Sequence, residues 1–198
     1  MKLNKALILL IAVSSLVFAV NCSSGDKKEN PPITKAEAEK AGRGEDTKGC
    51  SKPGGDCING IGEKTTDAGK YIGKFSNGRY DGTGSMEFPN GDSYKGDFKN
   101  DSMNGKGVYK FANGDVYEGE FKDGKFNGYG VLLDSKGNKY AGFFAESKFN
   151  GKGVYTTRNG RTYDGDFKDD ALNGRGIVRE KDGRIVYDGK FENGRAAK

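Results

Sequence analysis

The chain has 198 residues, is 33% apolar and carries a formal charge of +5 at neutral pH without a single histidine. The lack of histidine removes the common acid–base and Ser-His-Asp or Cys-His arrangements. The charge resolves into +2 in residues 1–21, zero in 22–70 (nine basic, nine acidic) and +3 from Tyr71 onward (22 basic, 19 acidic), an excess too small and dispersed to track phosphates, so nucleic acid is excluded as a partner.

At the N-terminus Lys2 and Lys5 precede an apolar run from Ala6 to Val20, too short and early for an ordinary spanning helix but suited to a secretory signal over residues 1–21. Cys22 comes next, then Ser23-Ser24-Gly25. The pattern resembles a bacterial lipoprotein signal, which implies lipidation of Cys22 and membrane anchorage in a cell envelope. Ordinary cleavage near Ala19, leaving Cys22 free, is the alternative. Residues 22–48 are poor in apolar side chains and contain Pro31-Pro32, so they read as a disordered tether with a transient helix near residues 34–41. As a flexible coil it holds the remainder of the chain some 25–30 Å (about 5–6 Å × √n) from the anchor.

Residues 49–70 read as a cap. Cys50 and Cys57 flank Pro53-Gly54-Gly55, a turn that lets them close a disulfide worth about 2–3 kcal/mol. The competing metal site falls short of four ligands. Ile58-Asn59-Gly60-Ile61-Gly62 aligns with Phe149-Asn150-Gly151-Lys152-Gly153, so a divergent half unit starts here.

From Tyr71 a period of 23 takes over. Tyr71, Tyr94, Tyr117, Tyr140 and Tyr163 each open Tyr-x-Gly-x-Phe, and Tyr187 opens a sixth copy after a step of 24. Such a period means tandem structural units and not a globular enzyme. The units run 71–93, 94–116, 117–139, 140–162 and 163–186, with a partial one over 187–198. Both segments of each unit alternate with period two, and Asn90-Gly91, Asn113-Gly114, Lys136-Gly137, Asn159-Gly160 and Asp182-Gly183 supply two-residue hairpin turns with positive φ. Gly96, Gly119, Gly142 and Gly165 recur one pleat from a Tyr and a Phe, whose rings can shield the bare backbone, and the 24 of 33 glycines that lie from Tyr71 onward are too regular for a flexible linker.

Tyr-x-Gly-x-Phe, a mid-unit Gly, then Gly-x-Gly, an aromatic and Asn-Gly together resemble the MORN repeat. The resemblance covers Tyr71 to about Gly194 and implies a single-layer, twisted antiparallel meander. The fold class is therefore all-β, with about twelve strands making a ribbon roughly 50–60 Å long. Asp101, Ser147 and Asp170 replace the mid-unit Gly, and Asp134, Thr157 and Glu180 replace the late aromatic, which predicts less regular later hairpins. Arg195 and Lys198 close the last strand with charges that discourage edge pairing. Anionic-lipid binding, implied for some members of the family, lacks a Lys/Arg cluster here.

No catalytic, cofactor-binding or metal-ligating residue is expected. Asp164 and Asp166 form a carboxylate pair of the kind used in glycoside chemistry, but it recurs as Glu118 and Glu120 and reads as a solvated face. The expected role is that of a non-enzymatic, membrane-anchored envelope scaffold binding a protein. The alternative is recognition of an envelope polysaccharide or lipid headgroup by exposed rings. Tyr94, Tyr109, Tyr117, Tyr140, Tyr155 and Tyr163 are the candidate surface aromatics.

Overall fold

The computed structural model describes residues 58–197, so the signal, the tether, Cys22 and the Cys50–Cys57 pair lie outside the described residues. Thirteen strands run in order: β1 (Gly60–Thr66), β2 (Gly69–Ser76), β3 (Arg79–Glu87), β4 (Ser93–Lys99), β5 (Ser102–Lys110), β6 (Val116–Lys122) and β7 (Lys125–Leu133). Then come β8 (Lys139–Ala145), β9 (Lys148–Thr156), β10 (Thr162–Lys168), β11 (Ala171–Arg179), β12 (Ile185–Glu192) and β13 (Arg195–Ala196). They form one open antiparallel sheet in sequence order, and among the described residues there is no helix. The thirteenth strand is one more than the sequence predicts, because Arg195 joins a two-residue strand instead of ending the sheet with its charge.

Two kinds of turn alternate, and their assignment corrects the sequence reading. The two-residue turns with both φ positive lie mid-unit: Asn77-Gly78, Asn100-Asp101, Asp123-Gly124, Glu146-Ser147, Asp169-Asp170 and Asn193-Gly194. At Asn90-Gly91 and its counterparts only the glycine is left-handed, and the loop is wider: the Phe88 N–H donates to the Asp92 carbonyl (2.9 Å) and the Gly91 N–H to the Phe88 carbonyl (3.0 Å). That is a type I turn ended by a glycine bulge, which needs one left-handed residue and not two.

The replaced glycines do not loosen the later hairpins. Asp101 keeps its left-handed backbone (φ 70°), its N–H donates to the Tyr80 carbonyl (3.0 Å), and its Oδ1 accepts from the Tyr80 N–H (2.8 Å). Ser147 and Asp170 do the same to Phe126 and Phe149. A glycine such as Gly124 gives only the backbone half of this link, to Met103 (2.9 Å). Each side-chain acceptor offsets left-handed strain of about 1–2 kcal/mol by tying one tight turn to the preceding unit. At the other end of the strands, Asp134 Oδ1 accepts from the N–H groups of Lys136 and Asn138 (2.8 and 2.9 Å) where an earlier unit has a ring.

Across the middle of the sheet one glycine from each of twelve strands falls in register, from Gly62 opposite Gly73 through Gly119 opposite Gly130 to Gly176 opposite Gly189. Tyrosine rings lie over this bare row. A Cβ on Gly119 would stand 2.5 Å from the Tyr117 hydroxyl, and one on Gly130 would meet the same ring at 2.5 Å. Phe126 stacks on Tyr117 (centroids 3.9 Å apart, planes 10° apart), while Phe121 and Phe144 meet it edge-on at 5.1 and 4.9 Å. The sheet thus covers one of its faces with its own rings and buries Tyr71, Tyr94, Tyr117 and Tyr140 almost completely. The register shifts by a bulge just after the glycine, between Gly119 and Phe121, and the Tyr117 hydroxyl donates to the Glu120 carbonyl there (2.8 Å). Tyr71, Tyr94, Tyr140 and Tyr187 repeat that bond. The ring therefore fills the space left by the glycine and its hydroxyl satisfies a carbonyl at the bulge.

Candidate functional site

Burial corrects the choice of surface aromatics. Tyr94, Tyr117 and Tyr140 sit under the ring layer at 1%, 0% and 1% exposure, and Tyr155 belongs to the same core. Tyr109 and Tyr163 are half-buried against that core. The Tyr109 hydroxyl donates to Asp92 Oδ2 (2.7 Å), and Asp92 Oδ1 accepts from the Ala112 N–H (2.8 Å). Burial works against the Asp92 charge, but the bonds from Tyr109, Ala112 and Asn90 outweigh it and hold its pKa below the ordinary value. The nearby Asp115 is pushed the other way, first by burial. Tyr163 departs from its column: a Cβ on Gly165 would meet the Arg175 carbonyl oxygen, Gly176 and Leu172, and not a tyrosine. These side chains are architecture.

The opposite face, free of the ring layer, carries the candidate site. Tyr129 on β7 and Phe143 on β8 are register partners, half-exposed at 49% and 48%, with centroids 5.7 Å apart and planes at 81°. On the same face Val131 and Ala141 pair beside them. Toward β3 the face continues into a shallow groove of about 530 Å³, with Val108, Val116, Val131 and Leu133 as its apolar floor and Lys95 and Glu118 among its lining. On β9 and β10, Lys152 and Asp166 are in ion-pair contact (2.7 Å). A second, polar groove of about 560 Å³ runs along the tight turns past Asn100, Asn104, Asp123 and Asn127.

The site pair was legible in the sequence only by comparing units column by column. Tyr129 occupies the position of Lys106, Lys152 and Arg175, and Phe143 that of Asp97, Glu120 and Asp166. Glu120 Oε1 accepts from the Tyr129 N–H (3.3 Å) and Asp97 Oδ2 from the Lys106 N–H (3.2 Å), so this column ordinarily braces the bulge with a carboxylate. Phe143 gives up that brace for an exposed ring. Such an arrangement offers an apolar docking patch between charged neighbours.

An open β-meander of short tandem units, braced by tyrosines over a glycine row, defines a tandem-repeat protein. The MORN repeat model matches residues 71–93, 94–116, 117–139, 140–160 and 163–179, more than half of the chain, and the protein belongs to the MORN-repeat family. No curated protein matches it. Among solved structures it is similar to the SAS-4 (dCPAP) TCP domain of Drosophila melanogaster, solved in complex with a proline-rich motif of Ana2 (dSTIL), at 16% identity over 63% of this chain and 86% of that one. The TM-score is 0.23, too low to bear on mechanism or partner.

Proposed function

We propose that this protein is a membrane-anchored envelope scaffold that binds a protein partner on the uncovered face of its sheet. The observation that carries the reading is the Tyr129–Phe143 pair, two half-exposed rings at positions where, Thr83 apart, the other full units each place a charge. Anchorage rests on the sequence alone: the apolar run from Ala6 to Val20 followed by Cys22 and a polar tether. The lipid chain fixes the protein to the membrane, and the tether lets the ribbon reach a partner beyond the surface.

Labelled palmitate should enter the protein and be lost on Cys22→Ala; incorporation independent of Cys22 would refute the anchor. For the face, in-cell crosslinking followed by purification should yield one defined protein with the wild type and none with Phe143→Asp. Saturable binding to a single soluble glycan, abolished by the same substitution, would replace the protein partner by a polysaccharide.

A further inference from the structure

The centre of the uncovered face is self-complementary. Three register pairs lie at one level across six strands: Lys106 with Glu120 on β5 and β6, Tyr129 with Phe143 on β7 and β8, and Lys152 with Asp166 on β9 and β10. Cross-strand attraction accounts for the two charged pairs, which read lysine then acid in the same order. It does not account for the aromatic pair between them. We propose that a second copy of this chain occupies this face, giving a two-fold dimer of packed sheets whose axis runs parallel to the strands between β7 and β8. The proposal rests on the reading of this face as a binding surface and names its first occupant.

Such an axis lays β7 on β8 of the second copy, β6 on β9 and β5 on β10. Tyr129 then meets Phe143, Glu120 meets Lys152, and Lys106 meets Asp166, each contact occurring twice as in any isologous interface. In the adjoining row Val131 falls on Ala141 and Glu118 on Val154, so no like charges oppose. An axis running across the strands would instead set Glu118 against Glu120 and Asp164 against Asp166, and like charges select against it. Six strands about 4.8 Å apart and about 27 Å long present roughly 780 Å² of face, close to the roughly 800 Å² per partner of a stable interface. Stacked sheets about 10 Å apart bring side chains from both inner faces into contact. The strands outside β5–β10 stay open to another protein.

The test is sedimentation equilibrium of the full-length chain in a density-matched detergent. A dimer is expected. Glu120→Lys should weaken it by about tenfold or more, because a close interfacial charge pair is reversed at two places. Adding Lys152→Glu to that variant should restore it. Phe143→Asp, which installs the residue that Asp97 and Asp166 supply at equivalent positions, should give a monomer that keeps its sheet circular dichroism and a cooperative unfolding transition, with a midpoint that no longer depends on protein concentration. A wild-type monomer at every concentration would overturn the dimer, as would a dimer indifferent to both Phe143→Asp and the charge swap. Crosslinking of a different protein to a monomeric wild type would leave the scaffold reading standing while the dimer fell. The expected charge-swap pattern without any second protein would support the dimer alone.

Discussion

Replacing Gly119 by alanine tests the arrangement on which the whole ribbon depends. The backbone at Gly119 is ordinary strand, so alanine is conformationally allowed, and less freedom in the unfolded chain would by itself stabilise by about 0.4–1 kcal/mol. The new Cβ, however, would stand 2.5 Å from the Tyr117 hydroxyl and 2.6 Å from Gly130 Cα, so the ring must leave. Its departure forfeits about 1.5–3 kcal/mol of burial and about 0.5–1.5 kcal/mol for each of its contacts with Phe126, Phe121 and Phe144. A net loss of about 2–7 kcal/mol is expected, a large share of the roughly 7–20 kcal/mol available to a sheet of this size. Urea denaturation of Gly119→Ala, Tyr117→Ala and the double variant would measure the coupling. Once the tyrosine is gone the ring's share of the cost should vanish, leaving only the part due to the 2.6 Å approach to Gly130 Cα. In the same row Gly176→Ala should cost under about 1 kcal/mol, since its Cβ would meet only the Phe191 ring at 3.1 Å and the Asp164 carbonyl oxygen at 3.4 Å, where a small shift of the ring suffices. Equal costs at Gly119 with and without Tyr117 would refute the reasoning.

Alkaline pH should unfold the ribbon. Burial pushes the phenols of Tyr71, Tyr94, Tyr117 and Tyr140 far up and that of Tyr155 up to about 12, against about 10 in an unfolded chain. The folded state keeps protons that the unfolded state releases, so stability is intact below about pH 10 and falls as pH rises toward 12. Phenolate absorbance should rise together with loss of sheet circular dichroism; ionisation of these rings near pH 10 in an intact sheet would contradict it. Tyr109→Phe should cost about 1.5–3 kcal/mol above pH 5 by removing the bond to Asp92, with the deficit shrinking as acid protonates that carboxylate, whose folded pKa lies below its unfolded one. A pH-independent deficit would disconnect the two groups. Asp101→Ala should destabilise by about 1–3 kcal/mol and Asp101→Gly by less, because glycine relieves the left-handed strain while losing the same bond to Tyr80; thermal unfolding giving the reverse order would show that the turn-to-turn link is not what favours aspartate there.

The 23-residue recurrence of Tyr-x-Gly-x-Phe by itself determined the all-β class, the open meander and the pairing of rings with glycines, because a short unit that cannot bury its own apolar face must stack on its neighbours. Which turn was tight was not legible locally. Asn90-Gly91 carries the usual two-residue hairpin signal, yet the doubly left-handed turns went to Asn100-Asp101 and its counterparts, where the side chain of Asp101 reaches back to Tyr80, 21 residues away. Nor could alternation along one strand say which side of the sheet the rings would seal. The sequence offers Tyr117 as a surface aromatic and does not single out Tyr129. Their fates part only in three dimensions: the register lines up Gly119 and Gly130 beneath Tyr117, whereas Tyr129 points to the opposite side of the sheet and stays half-exposed.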